Sequence, residues 1–139
     1  MKYILDTCVI SELIKPIPSS SVVSWVNSHQ EENLYLTSIT IGEIQRGIFK
    51  LNKSKKKTNL QNWLENELIV RFDRRILGFG LLESKRWGEI QAQAERKGTK
   101  MPILDGLIAS IALVQNMGIA TRNIEDMQVS GATLLNPWN

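Results

Sequence analysis

The chain has 139 residues, 42% hydrophobic and 22% charged, the composition of an ordinary globular protein long enough to bury a core as one domain over 1–139. Its formal charge is +3 at neutral pH, with one cysteine, Cys8, and one histidine, His29. These counts exclude a disulfide framework and a structural zinc site, so any catalysis falls to carboxylates, hydroxyls and lysines. No stretch approaches ~18 uncharged apolar residues and only Met1 to Leu5 precede Asp6, so no spanning helix, signal peptide or membrane partner is expected, and the cytoplasm is the expected compartment.

In chain order, Tyr3, Ile4 and Leu5 make an apolar run too short for a helix, which suits a strand buried on both faces. Asp6 stands at its C-terminal end. There it serves either as the cap of a helix beginning near Thr7 or as an acid facing the crevice where α/β sheets bind ligands. Pro16 and Pro18 end that helix, and Ser19 to Ser21 offer a cap for a second whose apolar face is Val22, Val23, Trp25 and Val26. His29 falls in a polar stretch and is expected to be solvated. Leu34 to Leu36 is a second short strand. Thr40 and Glu43 then have the spacing of a capping box for a helix carrying Ile44, Ile48 and Leu51.

A lysine-rich loop follows, and Leu60, Trp63, Leu64 and Leu68 form another helical stripe. Arg75 to Phe79 is expected as a third strand, and Leu81 to Arg96 as an amphipathic helix closed by Gly98. Pro102 opens a helix apolar nearly all round, from Ile103 to Val114, and such a helix is expected to be buried, with Asp105 in its first turn. Gly118 to Thr121 and Ala132 to Leu135 complete the strands. Strands alternating with helices predict an α/β fold on a parallel sheet of four or five strands.

Asp6, Glu43, Asp105 and Asp126, with Asn123 beside the last, all follow a strand or open a helix. A parallel sheet would gather such positions into one crevice, where unpaired carboxylates must share protons or meet a hard cation. Oxygen ligands without His or Cys select Mg²⁺ or Mn²⁺, which acidifies bound water and stabilises charge on a phosphodiester. Basic residues cluster at Lys50, Lys53, Lys55, Lys56 and Lys57, with Arg71, Arg74 and Arg75 following. Such a run serves either as a polyanion-binding face, with Lys55, Lys56 and Lys57 on a phosphate backbone, or as a solvated loop. Together these features predict a metal-dependent nuclease.

The chain resembles the PIN-domain ribonucleases, specifically the VapC-type toxins of bacterial toxin–antitoxin pairs and their FitB-like subgroup. The resemblance rests on Tyr3-Ile4-Leu5-Asp6-Thr7, on Ile39-Thr40-Ile41-Gly42-Glu43-Ile44 with Arg46-Gly47, and on Trp87-Gly88. Asp105-Gly106-Leu107-Ile108-Ala109, Thr121-Arg122-Asn123 and Asn136-Pro137-Trp138 extend it to the C-terminus. It implies a three-layer α/β/α fold and Mg²⁺ or Mn²⁺ held by Asp6, Glu43 and Asp105 for RNA cleavage. The fourth acidic position would fall at Asn123 or Asp126, and the partners would be a cognate antitoxin and a second copy of the chain. Val22, Val23, Trp25 and Val26 are candidates for the surface that such partners cover. Cys8 stands where the family usually has Asn, and Gly80 where an acid is common. Two other readings stand beside the nuclease: an aspartyl-phosphate-type phosphohydrolase, disfavoured by Cys8 where a second Asp would be needed, and a non-catalytic RNA- or protein-binding module, disfavoured by the presence of all three acids.

Overall fold

Tyr3–Leu5 forms β1, whose short apolar run lies at the centre of a five-stranded sheet in a computed structural model that describes residues 1–139. The other strands are β2 (Leu34–Thr37), β3 (Ile76–Leu77), β4 (Gly118–Ala120) and β5 (Leu134–Leu135), in the order β3-β2-β1-β4-β5. Every pairing is parallel, with Ile4 opposite Tyr35 on one side and Ile119 on the other. The chain first builds outward from β1 through β2 to β3, then returns to the opposite side of β1 with β4. That reversal is a topological switch point, and its crevice opens at the C-terminal ends of β1 and β4.

Helices cover both faces, giving three layers. On one face lie α1 (Thr7–Leu13), α2 (Ser20–Asn27), α3 (Ser38–Phe49), and α4 (Lys55–Trp63), which continues through a wide turn at Leu64–Leu68 into α5 (Ile69–Arg71). Their apolar side chains, among them Val9, Val22, Ile48, Leu64 and Phe72, pack with Leu5, Leu36 and Ala120 of the sheet. The opposite face carries α6 (Leu81–Arg96), α7 (Ile103–Gln115) and α8 (Ile124–Met127), whose Ile90, Ala94, Ile108, Ala112 and Met127 pack with Ile4 and Ile119. Successive residues of β1 and β4 thus point into different cores, the period-two alternation of a sheet buried on both sides. Gly118 begins β4 because β1 leaves no room for a side chain: a Cβ there would meet the Tyr3 ring at 2.7 Å. No helix is long and apolar enough to cross a membrane.

Several expectations change in detail. The third strand is only Ile76–Leu77 within the expected Arg75 to Phe79. Helix α3 starts a turn earlier than a Thr40–Glu43 capping box requires, because Thr37 is the cap and its hydroxyl accepts from the Thr40 N–H at 3.2 Å. Helix α7 is buried through its middle, at Gly106 and from Ile108 to Ala112, while Ile103 and Leu104 at its start are exposed and Leu107, Leu113 and Val114 are half-buried. The lysine run is a loop only in part: Lys50 follows α3 and Lys53 lies in the connection, while Lys55, Lys56 and Lys57 form the first turn of α4, behind the cap Ser54. His29 is half-buried, its ring against Trp25 at 4.1 Å and its Nδ1 2.7 Å from the Trp25 carbonyl at the end of α2. Val22 and Val26 are core, and Trp25 is half-buried against Tyr3, so α2 offers no free apolar face. Gly98 takes its expected place after α6, at φ +68 with its N–H donating to the Glu95 carbonyl.

Candidate active site

Asp6 occupies both positions foreseen for it. It caps α1, its Oδ1 accepting from the Thr7 N–H at 2.8 Å, and its backbone N–H donates to the Ala120 carbonyl across the switch point. Its other oxygen, Oδ2, accepts from the Thr121 hydroxyl at 2.7 Å. The residue is 2% exposed. Burial pushes its carboxyl above the usual carboxylate range, against hydrogen bonds from Thr121, Thr7 and Cys8 that favour the ionised form.

Thr7, one residue on, ties Asp6 to α3. Its hydroxyl donates to Glu43 Oε1 at 2.7 Å and lies 3.0 Å from the Thr40 hydroxyl. Glu43 is therefore directed at the site and not at its own helix terminus. Asp105, in the first turn of α7, completes the acidic wall. Its carboxyl is pushed up to about 6, by partial burial first and then by the charges of Asp6, Asp126 and Glu43. That three carboxylates act on a fourth places all of them in one field, as the sheet topology predicts.

A cleft of about 410 Å³ opens between these elements, lined by Asp6, Glu43, Asp105 and Asn123 among others. Asn123 lines the cleft beside the three acids. Its backbone N–H donates to the Thr121 hydroxyl at 2.9 Å, which keeps that hydroxyl's proton turned to Asp6. Asp126, on α8, is exposed and does not line the cleft; it acts there only through its charge on Asp105. Lys55, Lys56 and Lys57 are not brought to the cleft either. Lys57 is committed to structure: its ammonium donates to the Phe49 and Leu51 carbonyls at the end of α3 and lies over the Phe49 ring. Arg71 and Arg75 are held by Glu31, which leaves Arg74 as the unpaired cation of the three.

The cations at the cleft are Lys15 and Arg122. Clustering of charge along the sequence picks out neither, because they lie far apart in it. A signal was present in and just after α1: Cys8, Ser11, Glu12 and Lys15 fall at helical spacing, and all four line the cleft. Glu12, 6% exposed, accepts from Lys15 Nζ and from the Ser19 N–H, both at 2.9 Å. Cys8 supplies a weak substitute for the expected polar contact, its Sγ lying 3.7 Å from Asp6 Oδ2 and accepting from the Arg122 N–H at 3.5 Å. Burial and the Asp6 charge hold its thiol above its ordinary range, which disfavours the nucleophilic thiolate.

The donor set suits a hard divalent ion. Its side-chain donors are oxygens, on a wall where burial first and neighbouring negative charge second push the Asp105 carboxyl up to about 6. No three His, Cys, Asp or Glu side chains approach closely enough to enclose an ion by themselves. Mg²⁺ does not require that, since it keeps several waters and is held by one or two carboxylates.

Residues 3–128 match the PIN domain family model. The chain is 36% identical over 135 residues to the VapC ribonuclease Y4jK of Sinorhizobium fredii, covering 97% of this chain and 96% of that one. With the toxin FitB of Neisseria gonorrhoeae it shares 34% identity over 136 residues, 98% of each chain. The crystal structure of FitAcB from Neisseria gonorrhoeae superposes with a TM-score of 0.94 at 34% identity, covering 99% of both chains.

Proposed function

Since the chain belongs to the PIN-domain family, we propose that it is a divalent-metal-dependent endoribonuclease, the toxin of a toxin–antitoxin pair, hydrolysing RNA in the cytoplasm through a single catalytic domain spanning 1–139. The observation that carries this reading is the meeting of Asp6, Glu43 and Asp105 in one cleft at the sheet's switch point. Mg²⁺ or Mn²⁺ would be held among Asp6, Glu43 and Asp105, bound directly by one or two of them and through water by the rest, and would supply an acidified water and charge neutralisation at the scissile phosphate.

The protein's own groups prepare that chemistry. Thr121 and the Thr7 N–H fix both oxygens of Asp6, so its carboxylate need not reorganise when a cation arrives. Thr7 does the same for one oxygen of Glu43. Burial raises both Asp6 and Asp105, and Asp105, pushed up to about 6, is the acid that would give up a proton to an arriving cation near neutral pH. Asn123 contributes a neutral amide to the wall, sparing it a further charge. The test is cleavage of single-stranded RNA with Mg²⁺ or Mn²⁺ against the same reaction in EDTA; equal cleavage in both, or none in either, contradicts the reading.

Lys55 and Lys56 remain exposed on α4 and support a secondary interaction with RNA beyond the cleft. Changing both to Gln is expected to flatten the salt dependence of RNA binding by up to ~0.7 for each phosphate no longer neutralised, with kcat unchanged. An unchanged salt slope would show that they are only a solvated helix turn. Lys57→Gln belongs in a separate experiment, since it removes a cap from α3.

Exposed apolar side chains support the protein partners. Leu81, Leu82, Ile103 and Leu104 open two helices of one layer, and Ile14, Ile17 and Phe49 lie on the other. The chain is expected to form a homodimer and to bind its cognate antitoxin. Sedimentation at micromolar concentration showing only monomer, alone and with the product of the adjoining reading frame, would contradict both.

A further inference from the structure

We infer that Arg122, its guanidinium lying over the Trp138 ring, grips a backbone phosphate of the RNA strand in the cleft and so sets how tightly substrate is bound; the inference rests on the ribonuclease reading. The Arg122 guanidinium carbon lies 4.1 Å from the centroid of the Trp138 ring, and both residues line the cleft with Asp6, Glu43 and Asp105. The cleft's other cation, Lys15, is bound to Glu12 at 2.9 Å. Arg122 takes part in none of the molecule's ion pairs. Its backbone N–H is anchored on Cys8 Sγ, which fixes the main chain while leaving the guanidinium donors uncommitted.

A strand crossing this cleft brings phosphates against a carboxylate wall, and an unpaired cation on the rim offsets that repulsion. The planar donor fork of Arg matches a phosphate's paired oxygens, which the point charge of Lys does not. Trp138 acts through Arg122 and not on the RNA. Its indole packs against the core that contains Leu5 and Val9, and the guanidinium lies over the ring, so the side chain is a positioning residue. By limiting the rotamers of Arg122 it reduces the entropy lost when the phosphate is bound.

The test is steady-state cleavage of a labelled single-stranded RNA by the purified protein in Mn²⁺ across a series of KCl concentrations. Arg122→Gln is expected to raise KM by about tenfold, the effect of removing a charge-assisted hydrogen bond, with kcat within about twofold. Its slope of log KM on log salt should fall by ~0.7. Arg122→Lys should keep the slope while KM still rises. Trp138→Leu should raise KM by about two- to fivefold, Trp138→Phe should restore it, and Trp138→Leu combined with Arg122→Gln should be no worse than Arg122→Gln alone. Because Arg122 is exposed, its variants are expected to fold, and a circular dichroism melt confirms this. A parent protein that cuts no RNA overturns the ribonuclease reading and this inference together. A parent that cuts, with Arg122→Gln showing the parent's KM and salt slope, overturns this inference alone, as does a Trp138→Leu penalty that adds fully to that of Arg122→Gln.

Discussion

Asp6→Asn is expected to abolish RNA cleavage while leaving a folded protein. The substitution keeps the side chain's size and the Oδ1 acceptor that caps α1 at the Thr7 N–H. What it removes is the charge a divalent ion requires, together with the acceptor for the Thr121 hydroxyl if the amide nitrogen turns to that side. Loss of a preorganised electrostatic group costs ~10²–10³ in rate, and loss of a buried metal ligand should cost no less. Burial already raises the Asp6 carboxyl, so a neutral amide at this 2%-exposed position is easily accommodated. Thermal melting and a cleavage time course on the same preparation check this. Normal cleavage, or a collapse of the melting temperature, would show that Asp6 is only the cap of α1.

Asp105→Asn is expected to stabilise the metal-free protein at neutral pH and also to abolish cleavage. A carboxyl raised in the folded state from 3.8 to about 6 binds its proton more tightly folded than unfolded. Its contribution therefore favours folding below pH 3.8, and that advantage is lost as pH rises through the interval to about 6, leaving a constant penalty above it. Asn carries no such penalty. The parent's metal-free melting temperature should fall, relative to the variant's, between about pH 4 and pH 6 and run parallel to it at higher pH. Added Mg²⁺ or Mn²⁺ should raise the parent's melting temperature and have much less effect on the variant's. Calorimetry from about pH 4 to pH 8, with and without metal, reads all of this. A variant less stable than the parent at neutral pH without metal would mean that favourable contacts at Asp105 outweigh the cost of its burial and of the charges around it.

The acidic wall was legible in the sequence because its residues occupy one kind of position. Asp6 follows β1, Glu43 sits in the helix after β2, and Asp105 opens α7; a parallel sheet carries such positions to one edge. Their order in the chain needed no knowledge of side-chain direction. The capping box at Thr40 and Glu43 failed for a local reason. Thr37 and Thr40 lie three apart, either can cap, and only the end of β2 decides between them. Once Thr37 takes that place, Glu43 is free to meet Thr7.

Charge was the least legible property. The eye finds Lys50 to Lys57 because the residues are adjacent, yet there the fold turns one lysine to capping α3 and sets two others on α4 away from the acids. Arg71 and Arg75, which extend the basic run along the sequence, converge on Glu31. The cations that reach the cleft, Lys15 and Arg122, belong to the end of α1 and to the segment after β4, neighbours only because the sheet places β4 beside β1. The wide turn at Leu64–Leu68 was hidden for a similar reason: the stripe Leu60, Trp63, Leu64, Leu68 has helical spacing whether or not one turn is widened.

The most direct test is the chemistry of the cut ends. Purified protein is incubated with a single-stranded RNA in Mn²⁺, in Mg²⁺ and in EDTA, with Asp6→Asn as the inactive control, and the products are resolved by mass. Hydrolysis by water at a carboxylate-held ion predicts cleavage that requires the metal, vanishes in Asp6→Asn and leaves linear phosphate ends. Cleavage that persists in EDTA, or ends carrying a 2′,3′-cyclic phosphate from attack by the RNA's own hydroxyl, would contradict it.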